Sequence, residues 1–249
     1  MTPPYPRCYH YPIVKMLNDE LSSLLKSEGA DLVGFANLRK IDPGTRNNLP
    51  YGISIAVALN PQIISAIREG PTKAYVEECQ RADNLLESIG RKVLKFLRQR
   101  GHEAQPRTTP GAEYPDTLTT RLPQKTVATR AGLGWIGKCA LLITREFGSA
   151  VRLGSILTDA EIFAATPEVV SQCGDCADCV EICPARAVTG SEWRVGVERA
   201  TLVDVFACRK TARELLTKRT GGEITGRTFC GLCIVACPLT QKYLEQALK

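Results

Sequence analysis

The 249-residue chain lacks any run of about 18 apolar side chains, which excludes a membrane-spanning helix. Its first residues, MTPPYPRCYHYPIVK, carry prolines and a polar centre where a secretory leader would have its apolar stretch. No leader is expected, and the chain reads as cytoplasmic. Histidine is scarce: His10 and His102 are isolated from each other and from other metal-ligand types, so each reads as a surface or core residue. There are two tryptophans, Trp135 and Trp193, both read first as packing residues. No low-complexity tract occurs, and no repeat apart from two cysteine runs. The composition, 44% hydrophobic and 23% charged, is that of an ordinary folded protein with room for one large domain or two small ones.

Cysteine, by contrast, is abundant. There are 11, most of them between Cys173 and Cys237. In a reducing compartment, clustered thiols bind metal more often than they pair as disulfides. The formal charge of +6 then misleads. Ligand thiolates remove about eight charges and two oxidised four-iron cores return about four, leaving about +2. A basic chain is here weak support for nucleic-acid binding.

Hydrophobic periodicity predicts a helix over 12–28, with Ile13, Leu17, Leu21, Leu24 and Leu25 on one face and Gly29 ending it. Residues 31–36 and 52–59 read as strands. A long helix is expected over 72–100, with Cys79 on its apolar face, and 103–124, holding Pro106, Pro110, Pro115 and Pro123, as mostly loop. A short helix over 124–131 and strands over 139–144 and 150–158 complete an α/β unit. The composition turns cysteine-rich after Pro167. The expected division is therefore 1–165 and 166–249.

Between the helix at 124–131 and the strand at 139–144 lies GLGWIGKC, residues 132–139. It satisfies the dinucleotide pattern G-x-G-x-x-G and nearly satisfies a phosphate loop, with Cys139 in place of the hydroxyl. Both nucleotide loops require strand, glycines, helix, so that free helix N–H groups face phosphate. The order here is reversed, and a helix C-terminus repels anions. Two readings remain: a C-capping Gly132 followed by a tight turn, or glycines that let the backbone lie against a large planar ligand.

The run Cys173-x-x-Cys176-x-x-Cys179-x-x-x-Cys183-Pro184 has bacterial ferredoxin spacing, in which three cysteines hold one [4Fe–4S] cluster and the fourth ligates the other. A second run, Cys230-x-x-Cys233-x-x-x-Cys237-Pro238, is one cysteine short, and Cys208 in the helical pattern over 197–216 is available to supply it. The pseudo-symmetric assignment gives Cys173, Cys176, Cys179 and Cys237 to a first cluster and Cys183, Cys208, Cys230 and Cys233 to a second. Zinc is the competing metal, but its sites seldom pack four cysteines in this order. Cys8, Cys79 and Cys139 fall outside this set, with Cys79 and Cys139 read as small buried residues.

KTVATRAGLGWIGKCALLI (125–143), FGSAVRLGSILTD (147–159) and the two cysteine runs, in this order, resemble the epoxyqueuosine reductase family, whose core is shared with corrinoid-dependent reductive dehalogenases. The resemblance covers roughly residues 30–240. It implies an α+β, nitroreductase-like corrinoid-binding domain followed by a small ferredoxin-like domain with two [4Fe–4S] clusters. Those clusters would deliver low-potential electrons to a base-off cobalamin. The corrinoid motif D-x-H-x-x-G is absent, so no histidine ligand is indicated. On this reading Gly132, Gly134, Trp135, Gly137, Lys138, Cys139 and Arg152 belong to the cofactor site. Arg130, Arg145 and Arg152 equally suit phosphate, propionamide or a solvated basic face.

Three positions depart from the family. Its proposed general acid, an Asp, lies thirteen residues before the alanine of the glycine segment, and counting back from Ala131 reaches Leu118. Asp116 is the nearest carboxylate and would serve if the loop were shifted. The family's Cys-Pro-Trp-Asn is Cys237-Pro238-Leu239-Thr240 here. The C-terminal extension that many of those enzymes carry, often tRNA-binding, does not follow Lys249. The expected function is a cobalamin-binding iron–sulfur reductase served by an external ferredoxin- or flavodoxin-type donor, with tRNA disfavoured and no membrane partner. The alternatives are an electron carrier without corrinoid and a flavin-dependent reductase.

Overall fold

The computed structural model describes residues 7–108 and 113–249, with side chains from residue 14 onward. Cys8, His10 and Ile13 are therefore outside the described side chains. In chain order the elements are α1 (Arg7–Ser27), β1 (Leu32–Asn37), β2 (Tyr51–Ala58), α2 (Pro61–Ser65), α3 (Lys73–Gln99), β3 (Ala104–Arg107), α4 (Gln124–Arg130), β4 (Trp135–Ile136), β5 (Leu142–Ile143), β6 (Val151–Thr158), α5 (Asp178–Glu181), α6 (Arg199–Leu202), α7 (Val205–Arg219), α8 (Leu232–Ala236) and α9 (Pro238–Ala247). No described helix is long and apolar enough to cross a membrane.

Four strands form an antiparallel sheet in the order β1-β2-β6-β3. The central strand β2 is YGISIAVA, apolar almost throughout because both of its faces are covered. Ile53, Ile55 and Val57 face the larger core, shared with Leu21 and Leu25 of α1 and Cys79, Leu86, Ile89, Val93 and Leu97 of α3. On the opposite face Ala36 and Leu157 pack with Val127 and Ala131 of the α4 segment. Strand periodicity of two sends alternate residues to these two cores. Thr72 caps α3, accepting from Tyr75 N at 3.2 Å.

The stretch 103–124 is mostly loop, as expected, with one short strand in it, and two other expectations need correction. That strand, β3, contains Pro106 and among the described residues pairs only with β6, and an edge position tolerates the missing N–H. The strand expected over 139–144 shrinks to Leu142–Ile143, since residues 137–141 form a turn closed by Gly137 N to Leu141 O (2.9 Å). The helical pattern over 197–216 breaks at Val203, which is extended (φ −153°). Asp204 then starts α7, accepting from Phe206 N and Ala207 N.

The cysteine-rich segment returns to the sheet. Val235 of α8 and Leu244 of α9 join the larger core, and Tyr243 donates to Leu59 O at 2.9 Å. Thr240 Oγ1 accepts from Ser149 N at 3.1 Å, with Gly148 (φ +56°) in close approach behind it.

Glu78 of α3 is 5% exposed and accepts from Asn60 N (2.8 Å) and Arg81 (2.7 Å). Burial pushes its carboxyl up, but the Arg81 and Asn60 hydrogen bonds outweigh burial and hold it below the ordinary 4.5. Glu78→Ala should cost about 1–2 kcal/mol in chemical denaturation at pH 7, discounted because Arg81 is half exposed. The folded-state value is depressed, so this contribution is complete above the unfolded carboxyl's titration. The gap between variant and wild type should close as pH falls below about 4.

Candidate functional site

α4 ends in a Schellman motif: Leu133 N donates to Ala128 O (3.1 Å) and Gly132 N to Thr129 O (3.2 Å), with Gly132 at φ +71°. The chain then turns at once into β4, which pairs with β5 in the register Trp135↔Ile143 and Ile136↔Leu142. A side chain at Gly134 (φ +151°) would overlap the carbonyl oxygen of Ile143, and a Cβ on Gly137 would meet Ile143 Cγ1 at 2.7 Å. The glycines are thus required by the helix end and the hairpin. The reading that they lie against a macrocycle gives way to this steric one, because what their missing side chains would strike is protein.

The hairpin divides two spaces. On one side Ile136 and Leu142 line a cleft of about 830 Å³. On the other Trp135 and Ile143 line a cavity of about 150 Å³, together with Gly137, Lys138, Cys139, Cys173, Cys176, Cys179, Cys233 and Cys237. Period-two alternation in two-residue strands makes a wall one backbone thick.

The four thiols expected at a first cluster therefore border one cavity, joined by Cys139 and Cys233. Among the described residues no three His, Cys, Asp or Glu side chains converge as ligands of a single metal ion. A four-iron cube instead holds its thiolates at separate corners. Cys183, Cys208 and Cys230 lie within electrostatic reach of one another, while the Cys233 thiol contacts Cys139 on the first cavity's side. Cys208, on α7, is exposed. A hydrogen bond with Cys139 and then burial push the Cys179 thiol up, and burial does the same for Cys208, Cys230 and Cys237. Metal ligation by these sulfurs must release protons.

Lys138 is 8% exposed, and its Nζ donates to Gly174 O (2.6 Å) and Cys176 O (2.9 Å). It clamps the first cysteine turn to the hairpin and places a positive charge beside thiolates. Sequence reasoning placed Lys138 in a glycine loop; its partners, some 36 residues later, were invisible there.

The cleft is bordered by Ile136, Leu141, Leu142, Val151, Leu153 and Ile234, with Thr119, Thr126, Thr129, Lys125, Arg130, Arg152 and Arg199 among its polar groups. Arg152 is engaged in a two-pronged pair with Asp83 (2.8 and 2.9 Å), which no sequence pattern had linked to it. Arg145 is not on the cleft; it pairs with Glu168 and stacks over Trp135, 5.4 Å from the ring centroid. Asp116 is exposed and does not border the cleft, whereas Leu118 does. The turn is pinned in that orientation by Arg199, which donates to Thr117 O (2.7 Å) and Leu118 O (2.8 Å). The general-acid assignment to Asp116 is accordingly corrected. Lys125 donates to Ala140 O at 2.6 Å, and burial with nearby Arg199 pushes its ammonium down to about 8. His102 sits elsewhere, beside Asp159.

No protein-family model matches the chain. Epoxyqueuosine reductase from Gloeobacter violaceus is 38% identical over 211 residues, covering 81% of this chain and 59% of its own length. That of Synechocystis sp. is 27% identical over 249 residues, covering 94% and 80%. That of Atelocyanobacterium thalassa is 33% identical over 129 residues, and the match spans only 41% of its length. Among solved structures, an epoxyqueuosine reductase with an epoxyqueuosine-modified tRNA stem loop superposes with TM-score 0.63 at 19% identity, over 92% of this chain and 66% of that one. A reductive dehalogenase described for B12-dependent dehalogenation gives 0.68 at 17%, over 92% and 33%. The chain is a relative of the epoxyqueuosine reductases and has the mixed α/β fold they share with reductive dehalogenases.

Gly134→Ala should lower stability by at least about 1–3 kcal/mol, through backbone overlap and a left-handed φ. Gly132→Ala, whose Cβ would stand 3.1 Å from Ala165 and Thr166, should cost about 1 kcal/mol. Thermal melts of both variants check this order.

Proposed function

For a relative of the epoxyqueuosine reductases with two cavities back to back, we propose an iron–sulfur reductase that holds two [4Fe–4S] clusters and binds a corrinoid in the large cleft. The observation that carries this reading is the one-residue wall: Ile136 and Leu142 face the cleft while Trp135 and Ile143 face the thiols. A protein that only carried electrons would need the thiols but no cleft of about 830 Å³ behind them.

Residues 166–249 supply the sulfur ligands, and 1–165 most of the cleft. Cys173, Cys176, Cys179 and Cys237 would hold the first cluster, and Cys183, Cys208, Cys230 and Cys233 the second. For the second set, the Cys233 side chain must turn from Cys139 toward Cys183. When bound, the clusters supply low-potential electrons one at a time and the corrinoid supplies the reducing centre. Cys208, exposed on α7, marks the face where an external ferredoxin- or flavodoxin-type donor would dock. A reducing, cytoplasmic setting suits this many free thiols.

The chain's own groups at the cleft do the rest. The apolar walls exclude water, and threonine hydroxyls and Arg130 can meet amide or phosphate groups of a cofactor. With Leu118 where the family has its acid, Lys125 Nζ is the cleft group that holds a proton below about pH 8 and yields it above. The missing acid is the reason to favour a substrate other than the modified nucleoside of tRNA.

Anaerobic titration of reconstituted protein with cob(II)alamin, followed by EPR, tests the cleft. Loss of the axial nitrogen splitting at stoichiometric protein is expected. An unchanged cobalamin signal beside two reducible clusters would leave the carrier reading, and release of fluorescent flavin would replace the corrinoid by flavin. Cys183→Ala tests the ligand sets. It should abolish the second cluster's signal and disturb the first, because Cys183 lies in one run and serves the other cluster; two intact spectra would sink the assignment.

A further inference from the structure

Among the described residues, three buried side-chain polar atoms have no hydrogen-bond partner: Ser54 Oγ, Ser149 Oγ and Trp135 Nε1. A hydroxyl can rotate its hydrogen toward any acceptor, but an indole N–H is fixed in the ring plane and, when buried, nearly always has a partner. Trp135 is 5% exposed and borders the thiol-lined cavity. Alternation along β4 turns it from the cleft, pairing across to Ile143 holds its backbone, and Arg145, tied to Glu168, stacks on the ring. Lys138 gives two of its three N–H groups to carbonyls and the Cys139 thiol is engaged with Cys179 and Cys233, so the Trp135 N–H is the donor at this cavity that has no bond of its own.

We propose that Trp135 Nε1–H donates a hydrogen bond to a sulfur of the first cluster and thereby sets that cluster's reduction potential. This rests on the cluster reading of the preceding subsection. A donor aimed at sulfur stabilises the more negative, reduced state, so the bond raises the potential of the cluster held by Cys173, Cys176, Cys179 and Cys237 relative to the same cluster without it. The second cluster, bordered by Cys183, Cys208 and Cys230, has no such donor from Trp135 and serves as an internal reference.

The test is Trp135→Phe, which keeps an aromatic ring and removes the N–H. Iron and acid-labile sulfide are measured first, then both midpoint potentials by EPR-monitored redox titration. The expected result is unchanged cluster content with reduction of the first cluster disfavoured about tenfold, ~59 mV for one electron, and the second cluster unmoved. Equal potentials in wild type and variant would overturn the proposal while leaving the cluster reading standing. A wild type without four-iron clusters would overturn both. Independently of any variant, wild-type protein carrying 15N-indole tryptophan should show a 15N coupling on the reduced first cluster by pulsed EPR. Its absence would also overturn the hydrogen bond.

Discussion

The backbone approach of Gly134 to Ile143 is the contact on which the rest of the site depends. Any side chain at Gly134 would strike the Ile143 carbonyl, so only glycine lets α4 run directly into the hairpin. The hairpin has two residues per strand, and each strand sends one side chain to each side. That leaves a wall of minimal thickness between the thiol cavity and the cleft. Two redox-active groups placed there would be separated by little more than a peptide backbone.

Electrostatic anchors hold the surrounding pieces against this wall. Lys138 fastens the first cysteine turn through Gly174 and Cys176, and Arg199 fastens the turn at 117–118 across the cleft mouth. Arg152 is fixed by Asp83 on α3. In each case a long cation reaches between segments far apart in sequence and donates to two acceptors there. Such groups lose little freedom once paired and so position the backbone they bind. Lys138, Arg152 and Arg199, which add to the formal charge, are thus tied into the structure.

Much of this was legible beforehand. Short intervals hold Cys173, Cys176 and Cys179 near one another locally, whereas Cys237 reaches the same cavity, beside Cys139 and Cys233, only through the tertiary fold. The apolar periods of α1 and α3 and the apolar run of β2 located the core. For Gly132 the capping reading held; what the macrocycle reading missed is that a glycine is chosen for what its missing side chain would strike, for Gly134 a carbonyl in the next strand. The four-residue strand around Pro106, in a stretch that is otherwise loop as expected, depends on its edge position in the sheet, which no local pattern shows.

The sequence by itself determined the cysteine ligand sets as hypotheses, the main helices and strands, and the kinship with epoxyqueuosine reductases, because spacing and periodicity are local properties. Only the tertiary structure decided which side of the hairpin each residue faces, that Leu118 rather than Asp116 borders the cleft, that Lys138 binds the cysteine turn, and that Trp135 Nε1 is left without a partner. These depend on contacts between segments tens of residues apart, where one residue of register moves a side chain from one cavity to the other.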